Sequence, residues 1–167
     1  IRHFEILLEM ADSMLGLKNY DSALEWVEQS EVLQPDDSNV LYVKARIMYN
    51  MERYQDAIDL WDRVLAMEPD EPAYYNHKAR ALLELEQYEQ VLEVIEHSHL
   101  IQMNDAFSDF YIRYVSFKMG KGDELVKDFD KIMKSCLAVE KSVDEKIIVK
   151  SRELLAELMN HQQKDRN

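Results

Sequence analysis

The chain contains 167 residues, and its hydrophobic content of 47% is enough for a buried core. Only three glycines and three prolines occur, which disfavours a β-rich fold built on tight turns, and the single cysteine, Cys136, excludes an internal disulfide. The net charge of −13 and the lack of any apolar run of about eighteen residues argue against nucleic-acid binding and membrane insertion.

The acidic excess lies in the part of the chain before Ala106. That part has 8 Lys and Arg against 22 Asp and Glu, whereas the rest has 12 against 11. We interpret most of this acid as a solvated outer face. The chain begins at Ile1, as a segment of a longer protein would, and we expect a cytoplasmic location.

A short phrase occurs three times at an interval of 34 residues: Tyr20-Asp-Ser-Ala23, Tyr54-Gln-Asp-Ala57 and Tyr88-Glu-Gln-Val91. The same interval relates Pro35 to Pro69, and Ala11 to Ala45 and Ala79. A fixed period in this range predicts a stack of similar structural units. Each unit would consist of two antiparallel helices, because a small residue lets the first helix approach its neighbour closely.

These residues resemble the tetratricopeptide repeat (TPR) family, clearly over residues 4–103 and in degenerate form to residue 138. The resemblance implies an all-α fold, a right-handed superhelical α-solenoid of helix-turn-helix repeats. It divides residues 1–141 into three clear repeats, at about 4–37, 38–71 and 72–104, and a degenerate one at about 105–138. Residues 142–161 would form a C-terminal capping helix, and residues 162–167 a polar tail.

The first repeat shows the helical pattern most simply. Apolar side chains at Phe4, Leu7, Leu8, Ala11, Met14 and Leu15 have the spacing of an amphipathic helix. A turn at 16–19 should lead into a second helix, Tyr20 to Leu33, that buries Ala23, Leu24, Val27 and Leu33. Residues 36–38 then offer acidic or hydroxyl side chains as the N-cap of the next helix.

The second and third repeats follow the same plan. In the second, the predicted inward residues are Leu41, Ala45 and Met48, followed by Tyr54, Ala57, Ile58, Trp61 and Leu65. In the third they are Tyr75, Ala79 and Leu82, followed by Tyr88, Val91, Ile95 and Ser98. Pro72 should occupy the first turn of its helix, where a missing N–H costs nothing.

The register of the fourth repeat is ambiguous in the pattern. A further step of 34 residues would bury Asp109 and Arg113, at a high cost in desolvation. We therefore prefer a frame shifted by one residue, which buries Tyr111, Ile112 and Val115 and then Leu125, Phe129 and Ile132. Gly120 to Gly122 would form the turn between its helices.

The last segment opens with Ser142-Val-Asp-Glu145, which has the spacing of a capping box. An apolar stripe follows on a predicted helix from about 143 to 160: Ile147, Ile148, Leu154, Leu155, Leu158 and Met159. Such a helix would close the open end of a repeat stack.

Five aromatic residues crowd the preceding segment: Phe107, Phe110, Tyr111, Tyr114 and Phe117. One core face cannot hide them all, so they could form a contact with another subunit. We favour the alternative, in which they are buried between the third repeat and the terminal helix.

The sequence lacks the residues that enzymes need. None of the three glycines lies in a phosphate-binding loop, and no His-Glu-x-x-His pair occurs. His97 and His99 point away from each other on a helix, and Cys136 occupies an apolar helical position where a buried thiol is expected. We therefore predict no catalytic activity, no metal site and no cofactor.

What remains is a surface for a protein partner. In the TPR family the first helix of each repeat lines the concave groove, and this geometry would place the binding residues at Tyr42, Arg46, Tyr49, Asn50, Asn76, Arg80, Leu83, Arg113 and Phe117. Flanking positions are Leu8, Asp12, Leu15, Asn39 and Asp109. Arg46 and Arg80 are equivalent, and Arg113 would join them in the shifted frame. These arginines would either grip a partner or pair with Asp12, Glu84 or Asp109, and the sequence leaves both options open.

One subtype can be tested by its residues. TPR domains that clamp the acidic tails of chaperones place Lys, Asn and Arg at positions that match Leu8, Asp12, Val43, Ala73 and His77 here. None of these carries the required group, so we predict that the chain is not such a clamp.

The leading hypothesis is a non-enzymatic interaction module that binds an extended or helical segment of a partner protein in the concave groove. Two alternatives remain. The chain could be a small acidic chaperone for a secreted or assembling client, or a structural segment of a multi-subunit complex whose C-terminal helix packs on another subunit.

Overall fold

The computed structural model describes residues 3–101, 106–121, 128–142 and 144–164, and these ranges contain nine helices and no strand. The helices are α1 (His3–Gly16), α2 (Tyr20–Leu33), α3 (Ser38–Asn50), α4 (Tyr54–Met67), α5 (Pro72–Glu84), α6 (Tyr88–Ile101), α7 (Ala106–Lys118), α8 (Phe129–Val139) and α9 (Glu145–Lys164). They fall into two compact units, an N-terminal unit (Ile1–Leu85) and a C-terminal unit (Glu86–Asn167).

The helices of the N-terminal unit begin where side chains satisfy their first free amides. The Asn19 side chain accepts a bond from the Ser22 amide at 3.4 Å, and Asp37 accepts bonds from the next two amides at 3.0 and 3.2 Å. Glu71 caps α5, whose first turn contains Pro72. The predicted capping by residues 36–38 and the predicted place of Pro72 are therefore confirmed.

The first helix of each repeat ends in the same left-handed turn. A residue with positive φ recurs every 34 residues: Lys18 (58°), Glu52 (62°), Glu86 (56°) and Gly120 (83°). At three of these turns an amide donates back to a carbonyl five residues earlier, Asn19 to Met14, Arg53 to Met48 and Lys121 to Ser116, at 2.9–3.0 Å. This Schellman geometry satisfies the last carbonyls of the helix and reverses the chain.

The core of the N-terminal unit depends on small residues at the predicted places. Ala11, Ala45 and Ala79 have no exposed surface, and neither have Ala23 and Ala57 on the second helices. Helix α1 packs on α2, α2 on α3, α3 on α4, and α4 on α5. The predicted helix pairs of the first two repeats are confirmed.

One core residue was predicted wrongly in the first repeat. Leu33 is 47% exposed, because it is the last residue of α2 and lies beyond the contact with α1. The buried residue on that face is Ser30, whose hydroxyl donates to the carbonyl oxygen of Phe4 at 2.9 Å. A hydroxyl that bonds to backbone in this way can replace an apolar side chain.

In the C-terminal unit, α7 lies among α6, α8 and α9. Phe110, Tyr111 and Tyr114 are buried in this unit, whereas Phe107 and Phe117 are half-buried. The favoured prediction, that these aromatics are hidden within the chain, agrees with the structure. The buried residues of α8 and α9 that face them are Ile132, Cys136, Val139, Ile147, Leu154 and Leu158.

The structure corrects the register of the fourth repeat. Gly120 lies 34 residues after Glu86, so the turn keeps the original period and the shift by one residue is wrong. The side chain of Arg113, at the position equivalent to Ala79, is only 13% exposed. Its Nε donates to Asp109 Oδ2 at 3.1 Å, and the same oxygen accepts a bond from Ser135 at 2.8 Å.

This ion pair relieves the desolvation that had argued against the unshifted frame. Tyr111 and Val115 are also buried, as the shifted frame predicted, and so is Ile132. Leu125 and the side chain of Phe129 lie outside the described residues.

The terminal helix differs in detail from the prediction. It begins at Glu145, and its cap is Asp144, which accepts a bond from the Lys146 amide at 3.0 Å, whereas Ser142 bonds to the Asp144 amide before the helix. Helix α9 continues to Lys164, into the predicted polar tail, and residues 165–167 are not described. Ile147, Leu154 and Leu158 are buried as predicted, but Met159 is 53% exposed.

Two bonds hold α9 against α7. Glu153 accepts from Lys118 at 2.5 Å and from the Tyr114 hydroxyl at 3.1 Å. Burial opposes the ionisation of Glu153, but the bonds from Lys118 and Tyr114 outweigh it and the pKa of Glu153 is lowered. Helix α9 therefore packs on its own repeat array through both charge and apolar contacts.

The left-handed turn predicts a stabilising substitution. Glu52 holds a conformation that costs an L-residue roughly 1–2 kcal/mol, whereas glycine adopts it freely at a smaller entropic cost. We expect Glu52→Gly to raise the free energy of unfolding by about 0.5–1 kcal/mol, measured by urea denaturation.

Glu52→Ala is the matched control and should give no such gain. The reverse change, Gly120→Ala, should destabilise by about 1 kcal/mol, although no atom lies within 4 Å of the added Cβ. Equal stabilities for the Gly and Ala variants at position 52 would contradict this account.

Candidate functional site

A cavity of about 790 Å³ opens between α1 and α3 in the N-terminal unit. Four apolar or aromatic side chains form its floor: Phe4, Leu8, Tyr42 and Val43. Polar and charged residues surround the floor: Glu5, Glu9, Asp12, Ser13, Asp37, Asn39 and Arg46. We call this cavity the groove. Five residues that the sequence predicted for a binding surface lie together here, namely Leu8, Asp12, Asn39, Tyr42 and Arg46.

Arg46 is held in place within the groove. Its Nη1 donates to Asp12 Oδ1 at 2.5 Å, and its guanidinium lies 5.5 Å from the centre of the Tyr42 ring. The intramolecular pairing that the sequence left open is therefore present for Arg46. The side chain is still 34% exposed, and one bond uses only one of its five N–H donors.

An aromatic cluster supports one wall of the groove. The rings of Trp61 and His77 are stacked at 4.9 Å with an angle of 8°, and Tyr42 meets Trp61 edge-on at 5.3 Å. Tyr74 lies 5.5 Å from Tyr42, and the Tyr42 hydroxyl is 3.5 Å from His77 Nε2. These contacts join α3, α4 and α5 and fix the orientation of Tyr42.

Sequence reasoning did not find this cluster. It placed Trp61 in the core and examined His77 only as a clamp position. A signal was available, because His77 lies 34 residues after Val43, which is buried.

The charge state of His77 follows from its surroundings. Burial lowers the pKa of His77 to about 3, and the positive charges of Arg80 and Arg46 act in the same direction. The imidazole is therefore neutral near pH 7 and offers no positive charge to a carboxylate. Both arginines that the repeat period makes equivalent thus act on the same aromatic cluster.

The remaining predicted residues have varied environments. Asn50 donates to the backbone oxygen of Arg46 at 2.8 Å, and Tyr49 meets Tyr54 edge-on at 5.6 Å. Asn76 and Arg80 each take part in an intramolecular contact. Leu83 is 2% exposed and Leu15 is also buried, so both side chains belong to the core.

Arg113 and Phe117 belong to the C-terminal unit. Arg113 pairs with Asp109 beside Ser135, and Phe117 is half-buried on α7. Within the N-terminal unit, the predicted row of three arginines is therefore reduced to the pair Arg46 and Arg80.

Sequence reasoning missed three acidic residues of the groove: Glu5, Glu9 and Asp37. Glu5, Glu9 and Asp12 lie four and three residues apart, which places them on one face of α1. That spacing could have identified them. They were instead assigned to the solvated surface, because the chain carries so much acid.

No metal centre is found among the described residues, where no group of three or more His, Cys, Asp or Glu could hold an ion. Burial raises the pKa of the Cys136 thiol to about 11, which keeps it protonated, as expected for a small buried hydrophobe. Among the described helices, none combines the length and apolarity that a bilayer span requires.

Comparison with known proteins settles the fold. A family model described as anaphase-promoting complex, cyclosome, subunit 3 matches residues 5–64. Among solved structures, a thermophilic TPR protein of Thermus thermophilus, TTC0263, is 20% identical, with a TM-score of 0.68 over 95% of this chain and 82% of that one. The chain has the TPR fold. The predicted all-α repeat architecture is thereby confirmed.

Two further TPR-like structures show how widely the fold is shared. MamA RS-1, as an ArsTM double mutant, is 18% identical with a TM-score of 0.68, over 95% of this chain and 96% of that one. The first TPR of Spaghetti (RPAP3), bound to the HSP90 peptide SRMEEVD, is 14% identical with a TM-score of 0.65, over 70% and 93% of the two chains. A search of curated protein sequences finds no significant match.

The neutral state of His77 predicts how acid affects stability. An unfolded histidine takes up a proton below about pH 6.5, whereas folded His77 does so only near pH 3. The unfolded state therefore binds more protons in this window, so this contribution to stability is complete above about pH 6.5 and declines as the pH falls.

We expect His77→Phe, which keeps an aromatic ring beside Trp61 but cannot titrate, to lose less unfolding free energy than wild type between about pH 7 and pH 5. NMR titration of the His77 ring in the folded protein gives the direct measurement. A midpoint near the ordinary histidine value would contradict the assigned burial.

Proposed function

We propose that this chain is a non-enzymatic interaction module that binds a segment of a partner protein in the groove. The observation that carries the proposal is the cavity itself, with its apolar floor and polar rim between the two inner helices α1 and α3. Its volume is within the range of known ligand sites, and convergent polar groups around an apolar floor are typical of them.

The half-buried state of Leu8 and Tyr42 supports this use. Both contact the core, yet each also lines the cavity. A partner side chain placed there would bury apolar surface that the fold leaves partly in water. The cluster around Trp61 and His77 fixes Tyr42, so little side-chain entropy would be lost on binding.

The similarity to a peptide-bound TPR adds support at the level of the fold. The RPAP3 domain shows that helices arranged in this way can hold a peptide. The fold does not select the ligand, because the ligand is chosen by the side chains of the groove. The clamp positions here carry Leu8, Asp12, Val43, Ala73 and a neutral His77, so we expect no binding of acidic chaperone tails.

A second candidate is a scaffold segment of a larger assembly. In the C-terminal unit, Val149 and Met159 on α9 are 63% and 53% exposed, and Leu137 on α8 is also exposed. Exposed apolar residues on a terminal helix are compatible with packing on another subunit. The groove of the N-terminal unit would remain open in such an assembly.

A steric block tests the main proposal. Asn39 is exposed at the groove and its side chain makes no bond among the described residues. We expect Asn39→Trp to weaken partner binding at least about tenfold, a loss of about 1.4 kcal/mol, because the indole would occupy the space of the partner. Calorimetric titration with a partner obtained on the wild-type chain provides the measurement.

The matched control is Gln29→Trp, an exposed position on the outer helix α2 of the same repeat. It should bind as wild type does, and both variants should unfold at the wild-type temperature. Undiminished binding by a folded Asn39→Trp variant would refute the groove as the binding surface.

A further inference from the structure

We infer that the groove selects a partner segment in which an arginine or lysine lies next to an apolar residue. This inference rests on the proposed function, since it names the chemistry of the segment that the groove would hold. Three features of the groove support it: its charge balance, the origin of that charge in one helix, and the apolar floor beneath it.

The charge balance of the groove is negative. Four carboxylates line it, Glu5, Glu9, Asp12 and Asp37, against one guanidinium, Arg46, among the described lining residues. Arg46 is already bonded to Asp12, and Asp37 accepts two amide bonds at the start of α3. The carboxylate of Glu9 has neither hydrogen bond nor ion pair among the described residues. An acidic partner would therefore meet repulsion and a basic one attraction.

The acid belongs to this groove and is not a general feature of the repeats. The residues 34 positions after Glu5, Glu9 and Asp12 are Asn39, Val43 and Arg46, none of which is acidic. The outer helix α2 carries its own acidic residues, Glu25, Glu28 and Glu31, so the solubility of this repeat does not depend on carboxylates inside the cavity.

The apolar floor adds the second requirement. Exposed charges contribute little free energy, and salt screens them, so a basic residue alone would bind weakly. Leu8 and Tyr42 are half-buried and line the same cavity as Glu9. A segment that places an apolar side chain on this floor and a cation beside Glu9 would use both features.

An unbiased selection tests the inference. Short random peptides displayed on phage would be selected on the wild-type chain, and the affinities of the enriched peptides measured by calorimetry. We expect enrichment of Arg or Lys adjacent to Leu, Ile, Phe or similar residues. Replacing the basic residue of a selected peptide by Glu, or its apolar neighbour by Ser, should each weaken binding at least about tenfold.

Charge reversal on the protein side gives the matched test. Glu9→Lys should weaken the selected peptides at least about tenfold, whereas Glu25→Lys on α2, which has the same effect on net charge, should change affinity less than about twofold. Both residues are exposed, so both variants should keep the wild-type melting temperature.

The outcomes separate this inference from the proposed function. Peptides that bind, are blocked by Asn39→Trp and yet lack basic residues would overturn the inference and leave the groove proposal intact. The same conclusion follows if Glu9→Lys binds like Glu25→Lys. Selected peptides that Asn39→Trp does not block, or a selection that yields no binder, would overturn both.

Discussion

The architecture depends on a close approach between helices that recurs every 34 residues. Ala11, Ala45 and Ala79 have no exposed surface, and a left-handed residue ends the first helix of each repeat at the same spacing. The small side chain sets the distance between helices, and the turn sets their direction. Because stacking uses this one face, the opposite face of α1 and α3 is free to form the groove.

The groove combines fixed and unsatisfied elements. The stacked rings of Trp61 and His77 fix Tyr42, and Asp12 fixes Arg46, so the walls of the cavity are ordered without a partner. Glu9 is exposed and unbonded among the described residues beside an apolar floor. Ordered walls reduce the entropic cost of binding, and an unbonded carboxylate beside apolar surface gives the site its selectivity.

The repeat period made most of the fold predictable, including the bounds Tyr20 and Leu33 of α2. The fourth repeat was less predictable because its core contains an ion pair, Asp109 with Arg113, which an apolar pattern cannot anticipate. Five residues of the groove followed from helical geometry. Glu9 was missed because a solvated carboxylate and one that lines a cavity look alike in sequence, and only the position of α3 distinguishes them.

The most direct test of the account is a map of partner contacts by NMR. Backbone amide shifts would be recorded for the N-terminal unit as a selected peptide is added to the intact chain. The account predicts that the changes concentrate on α1 and α3, around Glu9, Asn39 and Tyr42. Changes concentrated on the outer helices α2 and α4, with the groove amides unaffected, would contradict it.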